Sequence, residues 1–122
     1  MMQKTLSTTI SFEGNALHTG ESVSVNLVPS DTNTGIIFVR TDLDNAEIPA
    51  LVRYVNRTNR QTILQNGEAT VGTVEHLMSS LYALGIDNLR IELNGSEIPI
   101  LDGSAAPLVD LIIEAGITEQ SI

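Results

Sequence analysis

The sequence predicts an α+β fold, a two-layer sandwich in which a mixed or antiparallel sheet of about five strands carries two helices on one face. Alternating apolar and polar residues, most clearly at 22–28 and 87–93, predict half-buried strands. Two stretches with helical spacing, 72–85 and 107–115, predict the helices. The order of several strands, helix, strand and helix favours an arrangement in which both helices cover the same face of the sheet.

The strands before the first helix follow from alternation and from turn residues. Residues 4–13 predict one strand rich in Thr, Ser and Ile. In residues 22–28, Val23, Val25 and Leu27 share one side, so this strand has one buried face. The other stretches predicted to be extended are 36–40, 48–54 and 57–64, the last of them before the Asn66-Gly67 turn.

The longest helical pattern, residues 72–85, is the stretch around which the chain is organised. Thr73 predicts the N-cap, and Gly85 predicts the end of the helix. Glu75 lies in the first turn, where the helix dipole favours a carboxylate, and His76 follows it directly. The apolar residues that repeat at helical spacing on one face are Val74, Leu77, Met78, Leu81 and Leu84.

Glu75 and His76 form the one residue pair with an evident mechanism. A carboxylate at the open end of a helix can accept a proton while the neighbouring imidazole holds a metal. The commoner interpretation, from spacing alone, is a first-turn carboxylate that stabilises its helix beside an exposed or hydrogen-bonded histidine. The metalloprotease pattern H-E-x-x-H is absent, because Ser80 lies four residues after His76 and Gly72 four residues before it. The helix therefore offers a metal one imidazole.

The chain after this helix predicts one more strand and a second helix. Residues 87–93 alternate, with Leu89, Ile91 and Leu93 on the buried side. The second helix, 107–115, has a proline near its first turn and a glycine after its end, which is the usual asymmetry. Its apolar face consists of Leu108, Leu111, Ile112 and Ala115.

Length and composition predict one globular domain. We place this domain at residues 1–117 of the 122, with 118–122 as a tail or a linker to a second domain that is absent from this sequence. Hydrophobic residues make up 42% of the chain, and the scarcity of aromatic residues predicts an aliphatic core. The absence of cysteine excludes disulfides and cysteine-ligated zinc. Since there is neither an apolar run that could span a bilayer nor a signal peptide, we expect a cytoplasmic protein without a transmembrane segment.

The charge of the chain limits its partners. A net charge of −9 argues against nucleic-acid binding and against general attraction to anionic lipid. Arg53, Arg57 and Arg60 lie close together in sequence and still allow a local basic pocket.

Two further residues have open roles. His18 is the other histidine of the chain, and in His18-Thr19-Gly20 a turn is the favoured interpretation over a site. Asp102, followed by Gly103 and Ser104, fits an Asx-type turn before a helix at least as well as a site role. There is no G-x-S-x-G elbow, P-loop or G-x-G-x-x-G, so the sequence predicts no nucleophile.

Six short motifs occur in a fixed order along nearly the whole chain. They are Leu17-His18-Thr19-Gly20, Thr34-Gly35-Ile36, Arg40-Thr41-Asp42-Leu43, Thr73-Val74-Glu75-His76-Leu77, Gly85-Ile86-Asp87-Asn88 and Glu97-Ile98-Pro99-Ile100-Leu101-Asp102-Gly103-Ser104. Each motif alone is weak, but the ordered set is very specific. It resembles the N-terminal half of the UDP-3-O-acyl-N-acetylglucosamine deacetylase family, zinc-dependent hydrolases of lipid A biosynthesis in Gram-negative bacteria.

The resemblance implies an enzyme with two similar α+β domains whose helices pack together around the active site. Glu75 matches the general base that activates water for attack on the N-acetyl group, and His76 matches a Zn²⁺ ligand. Residues 58–63 match a strand that lines the site for the UDP-sugar lipid substrate, and Thr62 is its candidate contact. The other zinc ligands, in an H-K-x-x-D motif, and a general-acid histidine lie in the family's second domain. We therefore expect a fragment of a longer enzyme that binds zinc weakly and is inactive alone.

A second hypothesis belongs to another functional class. The chain would be a naturally short, non-catalytic domain that binds a protein partner or a nucleotide-sugar through its helical face. Under either hypothesis, four apolar helix residues would be available to contact a partner: Met78, Tyr82, Leu108 and Ile112. They predict self-association of the fragment. A reading frame that continues past Ile122 into an H-K-x-x-D motif would distinguish the enzyme from the binding domain.

Overall fold

The computed structural model describes residues 2–57, 62–101 and 106–121. Its two α-helices within these ranges are α1 (Glu75–Ala83) and α2 (Ala106–Ala115), and single 3-10 turns occupy Thr41–Leu43 and Val52–Tyr54. The strands are β1 (Gln3–Leu6), β2 (Ile10–Asn15), β3 (Ser22–Pro29), β4 (Ile36–Arg40), β5 (Ala46–Pro49), β6 (Val55–Arg57), β7 (Thr62–Asn66), β8 (Ala69–Gly72), β9 (Leu89–Leu93) and β10 (Ile117–Gln120). The predicted α+β class is confirmed.

Five strands form the main sheet, in the order β2-β3-β9-β4-β5. β4 and β9 are parallel neighbours, whereas the other adjacent strands of this sheet are antiparallel. β1 and β10 form a separate two-stranded ribbon, and β6, β7 and β8 form a small three-stranded sheet. The predicted mixed sheet is therefore confirmed, and the two smaller sheets are additions that the sequence did not predict.

The main sheet has one apolar face, and both helices lie on it. β3 and β9 pair so that Val25 lies opposite Leu93 and Leu27 lies opposite Ile91, and these side chains are buried. This confirms the predicted alternation in both strands, because residues two apart point to the same face of a sheet. The helix side chains that are buried in the same core include Leu77 and Leu81 of α1, and Leu108 and Ile112 of α2.

Helix α1 ends as predicted. Gly85 follows the last turn with φ of 72°, a conformation that favours glycine. The Gly85 N–H donates to the carbonyl of Tyr82 (3.1 Å), and the Ile86 N–H donates to the carbonyl of Leu81 (3.0 Å). These two bonds define a Schellman motif, which satisfies carbonyl groups that the end of a helix leaves without partners.

The start of α1 differs from the prediction. Thr73 is not the N-cap, because Val74 occupies that position and makes no side-chain cap hydrogen bond. Thr73 instead has φ of 56° and donates its hydroxyl to Oε1 of Glu97 (2.8 Å). The hydroxyl that was expected to cap the helix is therefore directed to a carboxylate on another segment. Glu75 lies in the first turn, as predicted.

The two ends of the chain pair with each other. Residues 4–13 do not form one strand, because β1 leaves the main sheet and pairs with β10, so that Leu6 lies opposite Ile117. The Ser7 N–H donates to the carbonyl of Gly116 (2.8 Å) at the point where β1 ends. Residues 118–120, predicted to belong to a tail or linker, are therefore paired as part of β10. The second domain beyond this segment stays a prediction.

The helices bury more of their apolar residues than was predicted. Leu108 and Ile112, proposed as exposed contacts for a partner, are both buried in the core because they face the sheet and α1. Met78 is half-buried, and Tyr82 is 88% exposed. Ile113, which the sequence did not single out, is 58% exposed. Neither helix in the described part of the chain is long and apolar enough to cross a membrane.

Some predictions lie outside the described residues. These are the part of the proposed substrate strand at 58–61, with Arg60, and the Asp102-Gly103-Ser104 turn. Thr62 and Arg53 lie within the described ranges, at the start of β7 and in the second 3-10 turn. Arg57 is the last residue of β6.

Arg40 links the main sheet to the small sheet. From the end of β4 its Nη1 donates to the carbonyl of Thr70 in β8 (2.7 Å). Its Nε and Nη2 donate to the two carboxylate oxygens of Asp42 at 2.9 and 2.7 Å, a bidentate pair. The hydrogen bonds from Arg40 lower the pKa of Asp42 from its ordinary value of 3.8, against the opposing effect of partial burial. The pair therefore favours the folded state most where Asp42 is ionised.

We expect Asp42→Asn to lower the free energy of unfolding by about 1 kcal/mol at neutral pH, because it leaves the buried Arg40 guanidinium with a weaker partner. A carboxylate whose folded pKa is lowered contributes stability above its unfolded pKa, and this contribution is lost as pH falls through the folded pKa. The difference in free energy of unfolding between wild type and variant should therefore become smaller at pH values below 3.8, the ordinary pKa of the Asp42 carboxyl. Urea unfolding from neutral pH down to about pH 3 measures it. Asp110→Asn, an exposed carboxylate on α2, is the control. A difference that grew toward acid pH would contradict this account.

Candidate functional site

Glu75 and His76 occupy the first turn of α1. Glu75 is exposed, and His76 is half-buried beside it. The first backbone bond of the helix runs from the Met78 N–H to the carbonyl of Val74 (2.9 Å). The amides before it have no acceptor within the helix and give this end a partial positive charge. Glu75 therefore lies at the positive end of the helix dipole.

An apolar groove of about 310 Å³ opens beside Glu75. The small sheet and the chain that precedes it form one wall, and the start of α1 forms the other. The structure brings Glu75 and Thr62 together here, since both line the groove, while His76 does not line it. The remaining lining residues are Ala50, Leu51, Val52, Val55, Leu64, Val74 and Met78. An ionisable group at the edge of an apolar cleft is an arrangement typical of ligand sites.

The lip of this groove carries exposed side chains from the second 3-10 turn. Val52 is among the most exposed apolar residues of the described chain, and Leu51 is about half exposed. The guanidinium of Arg53 lies 5.2 Å from the ring centre of Tyr54, within the range of a cation–π contact. Of the three arginines whose closeness in sequence allows a basic pocket, Arg53 thus lies against an aromatic ring, in the 3-10 turn that contributes Val52 to the groove.

His76 is a single candidate metal ligand. Its carbonyl accepts hydrogen bonds from the hydroxyls of Ser79 (3.1 Å) and Ser80 (2.7 Å), which tie the first turn to the second. Among the described residues, no group of three or more His, Cys, Asp or Glu side chains comes together so that it could hold a metal. A catalytic zinc normally takes three protein ligands. A metal site that used the His76 imidazole would therefore need further ligands from outside the described residues.

Glu97 is a buried carboxylate close to the start of α1 that the sequence analysis did not single out. It is only 3% exposed, and its carboxylate accepts three hydrogen bonds. Oε1 accepts from the Thr73 hydroxyl (2.8 Å) and from the His18 N–H (3.3 Å), and Oε2 accepts from the Thr19 N–H (3.2 Å). The signal in the sequence was the position of Glu97 directly before the apolar stretch that begins at Ile98. A charged residue in such a position becomes buried together with its apolar neighbours.

His18 lies in a turn, as the favoured interpretation predicts. The Gly20 N–H donates to the carbonyl of Ala16 (2.9 Å), and the Ala16 N–H donates to the carbonyl of Glu21 (2.8 Å), which closes the loop between β2 and β3. The backbone of His18 makes the contact with Glu97, and its side chain is exposed. The loop that carries one histidine is therefore joined through Glu97 to the start of the helix that carries the other.

Comparison with known proteins gives one family. The model of the family described as "UDP-3-O-acyl N-acetylglycosamine deacetylase" matches residues 3–122. A relative from Coxiella burnetii (strain RSA 493 / Nine Mile phase I) is 50% identical over 120 residues, which cover 98% of this chain and 40% of that protein. A relative from Myxococcus xanthus (strain DK1622) is 52% identical over 119 residues, which cover 97% of this chain and 38% of that protein.

Both relatives are named UDP-3-O-acyl-N-acetylglucosamine deacetylase. The present chain spans about two fifths of the length of these curated relatives. The family match extends over nearly all of the chain and includes the strands, both helices and the Glu75-His76 pair. This chain belongs to the UDP-3-O-acyl N-acetylglycosamine deacetylase family.

Proposed function

We propose that this chain forms the first half of the active site of a zinc-dependent deacetylase. Its reaction would be hydrolysis of the N-acetyl group of UDP-3-O-acyl-N-acetylglucosamine, a step of lipid A biosynthesis. The observation that carries this proposal is the placement of Glu75 at the exposed start of α1, on an apolar groove, with His76 next to it in a chain of this family. The names of the two relatives support the choice of substrate.

Glu75 would act as the general base. Its carboxylate, exposed in the first turn of α1, would accept a proton from the water that attacks the acetyl carbonyl. His76 would hold zinc through its imidazole, together with ligands from a second domain. Zinc, when bound, supplies polarisation of the carbonyl and a lower pKa for water. Thr62, on the opposite wall of the groove from Glu75, would contact the substrate through its hydroxyl.

A second domain would cover the outer side of the helices. The strongly exposed Tyr82 on α1 and Ile113 on α2 are apolar or amphipathic side chains without cover, as expected for a surface that packs against another domain. The relatives are long enough to contain such a domain beyond the matched part. Activity would then require both domains, and the present residues alone would be inactive.

The roles of Glu75 and His76 are separable in the full-length protein. We expect Glu75→Gln to lower kcat by about 10²–10⁴-fold while zinc content stays near wild type, because the variant loses a proton acceptor and keeps the ligand. His76→Ala should lose zinc and activity together. Steady-state kinetics measures kcat, and metal analysis measures the zinc content of each variant. Glu114→Gln, which changes an exposed carboxylate on α2, is the control. Near-native kcat in zinc-loaded Glu75→Gln would refute the general-base role.

Residues 1–122 alone should bind Zn²⁺ far more weakly than an intact catalytic site, because a single imidazole supplies one of the three usual protein ligands. Isothermal titration of this chain, beside the same titration of the full-length protein, measures the difference. Tight binding at one zinc per chain, abolished by His76→Ala, would mean that the chain itself contains a complete site.

Residues 1–122 alone should also self-associate through the uncovered helix side chains. We expect the double substitution of Tyr82 and Ile113 by serine to shift the chain toward monomer in sedimentation velocity at high concentration, because it removes exposed apolar surface. Leu43→Ser, which changes an exposed leucine outside the helices, is the control. A wild-type chain that is monomeric at every concentration would argue against an uncovered docking surface.

A further inference from the structure

We propose that Glu97 is the positioning residue that fixes the start of α1 and thereby the orientation of Glu75 and His76. This inference rests on the proposed function of those two residues. Glu97 lies on a different segment from the pair and reaches it through Thr73, two residues before Glu75. It therefore acts on the site through another side chain.

The Glu97 carboxylate is buried, and within ranges 2–57, 62–101 and 106–121 it forms no ion pair. The ion pairs found among the described residues involve Arg40 and Arg90, and neither includes Glu97. Its oxygens accept hydrogen bonds from two backbone N–H groups, those of His18 and Thr19, and from the Thr73 hydroxyl. Burying a carboxylate is unfavourable unless hydrogen bonds replace its hydration, so these donors are needed to keep it in place. The Glu97 side chain thereby joins its own segment to two others, the loop at His18 and Thr19 and the residues that precede α1.

Hydrogen bonds also hold the backbone around Glu97. Glu97 forms a parallel bridge with Gly72, the last residue of β8. The Gly72 N–H donates to the carbonyl of Ser96 (2.8 Å), and the Ile98 N–H donates to the carbonyl of Gly72 (3.0 Å). Gly72 directly precedes Thr73, so the carboxylate and the residue it holds are anchored to the same strand end.

Thr73 has an unfavourable backbone conformation. A φ of 56° lies in the left-handed region, where a β-branched residue is uncommon because its side chain is crowded against the backbone. A residue persists in this conformation only when its surroundings hold it there. The hydrogen bond to Glu97 is such a restraint. Since this φ sets the direction in which the chain enters α1, its relaxation would move Glu75 and His76 relative to the groove.

The other end of α1 offers a matched control. The Thr5 hydroxyl, in a residue that is 5% exposed, donates to the carbonyl of Asn88 (2.6 Å) and accepts from the Ser30 N–H (3.2 Å). Asn88 follows the C-terminal end of α1, away from the groove. Thr5→Val and Thr73→Val therefore both remove a hydroxyl that donates a hydrogen bond, but only Thr73→Val removes one at the start of the helix.

The test uses the full-length, zinc-loaded protein. We expect Thr73→Val to lower kcat by about tenfold to a hundredfold with KM changed by less than about threefold, the range typical of residues that orient a catalytic group. Thr73→Ser keeps the donor and should restore kcat to within about threefold of wild type. Thr5→Val should lower Tm about as much as Thr73→Val and leave kcat unchanged. Glu97→Gln should also lower kcat, because its amide NH₂ group has to face a donor, either the Thr19 N–H or the pair of donors from His18 and Thr73.

Several outcomes would overturn the inference. One is a Thr73→Val protein with wild-type kcat. This result would refute the positioning role even if Glu97→Gln does not fold. Another is an equal loss of kcat in Thr5→Val, because general destabilisation would then explain both variants. Glu75→Gln, measured in parallel, separates the two proposals. If it is inactive while Thr73→Val is fully active, only the positioning role is wrong, and if it is active, the proposed function itself is wrong.

Discussion

The parallel pairing of β4 and β9 is the constraint on which the rest of the structure depends. Parallel neighbours cannot be joined by a tight turn, so the chain between Arg40 and Leu89 has to cross from one end of the sheet to the other. That crossover contains β5, the small sheet and α1. Both walls of the groove beside Glu75 come from it. The groove is therefore built by one connection of the chain.

A crossover of this length needs restraints at both ends of its helix, and two buried polar side chains supply them. At the start of α1, Glu97 joins the Thr73 hydroxyl to the loop between β2 and β3. Beyond the end of α1, the Asn88 side chain accepts from the Gly35 N–H and donates to Gln3 and Gln120, which also ties the ribbon of β1 and β10 to the main sheet. Satisfied polar groups of this kind specify one arrangement of a core more strictly than apolar contacts do.

The parts of the fold that were predictable from the sequence are those with local causes. The strand faces follow from alternation that each strand carries by itself, as in Val25 and Leu93, and the end of α1 follows from Gly85. The prediction failed where the deciding partner is distant in sequence. Thr73 looked like an N-cap because Glu97, its actual acceptor, lies 24 residues later. The last strand looked like a tail because its pairing strand lies at the opposite end of the chain.

The candidate site also has a part that was predictable from the sequence and a part that was not. The Glu75-His76 pair could be found from the sequence, because first-turn position and residue type are local properties. The groove could not be found in this way, since its lining residues lie between Ala50 and Met78, a range that contains a 3-10 turn, three strands and the start of α1. Glu97 was missed because the alternation rules predict where apolar side chains go and say nothing of which buried carboxylate finds donors.

The location of these restraints bears on how a site shared between two domains would work. Within this chain, the start of α1 is held by Gly72, Glu97 and the loop at His18, all inside the same folded unit. In the roles proposed for them, Glu75 and His76 would then be oriented before any second domain contributes ligands. A group held on a rigid element by its own supporting hydrogen bonds is placed more accurately than one on a loop. Docking of the second domain would in that case complete the metal site without having to create the geometry of the base.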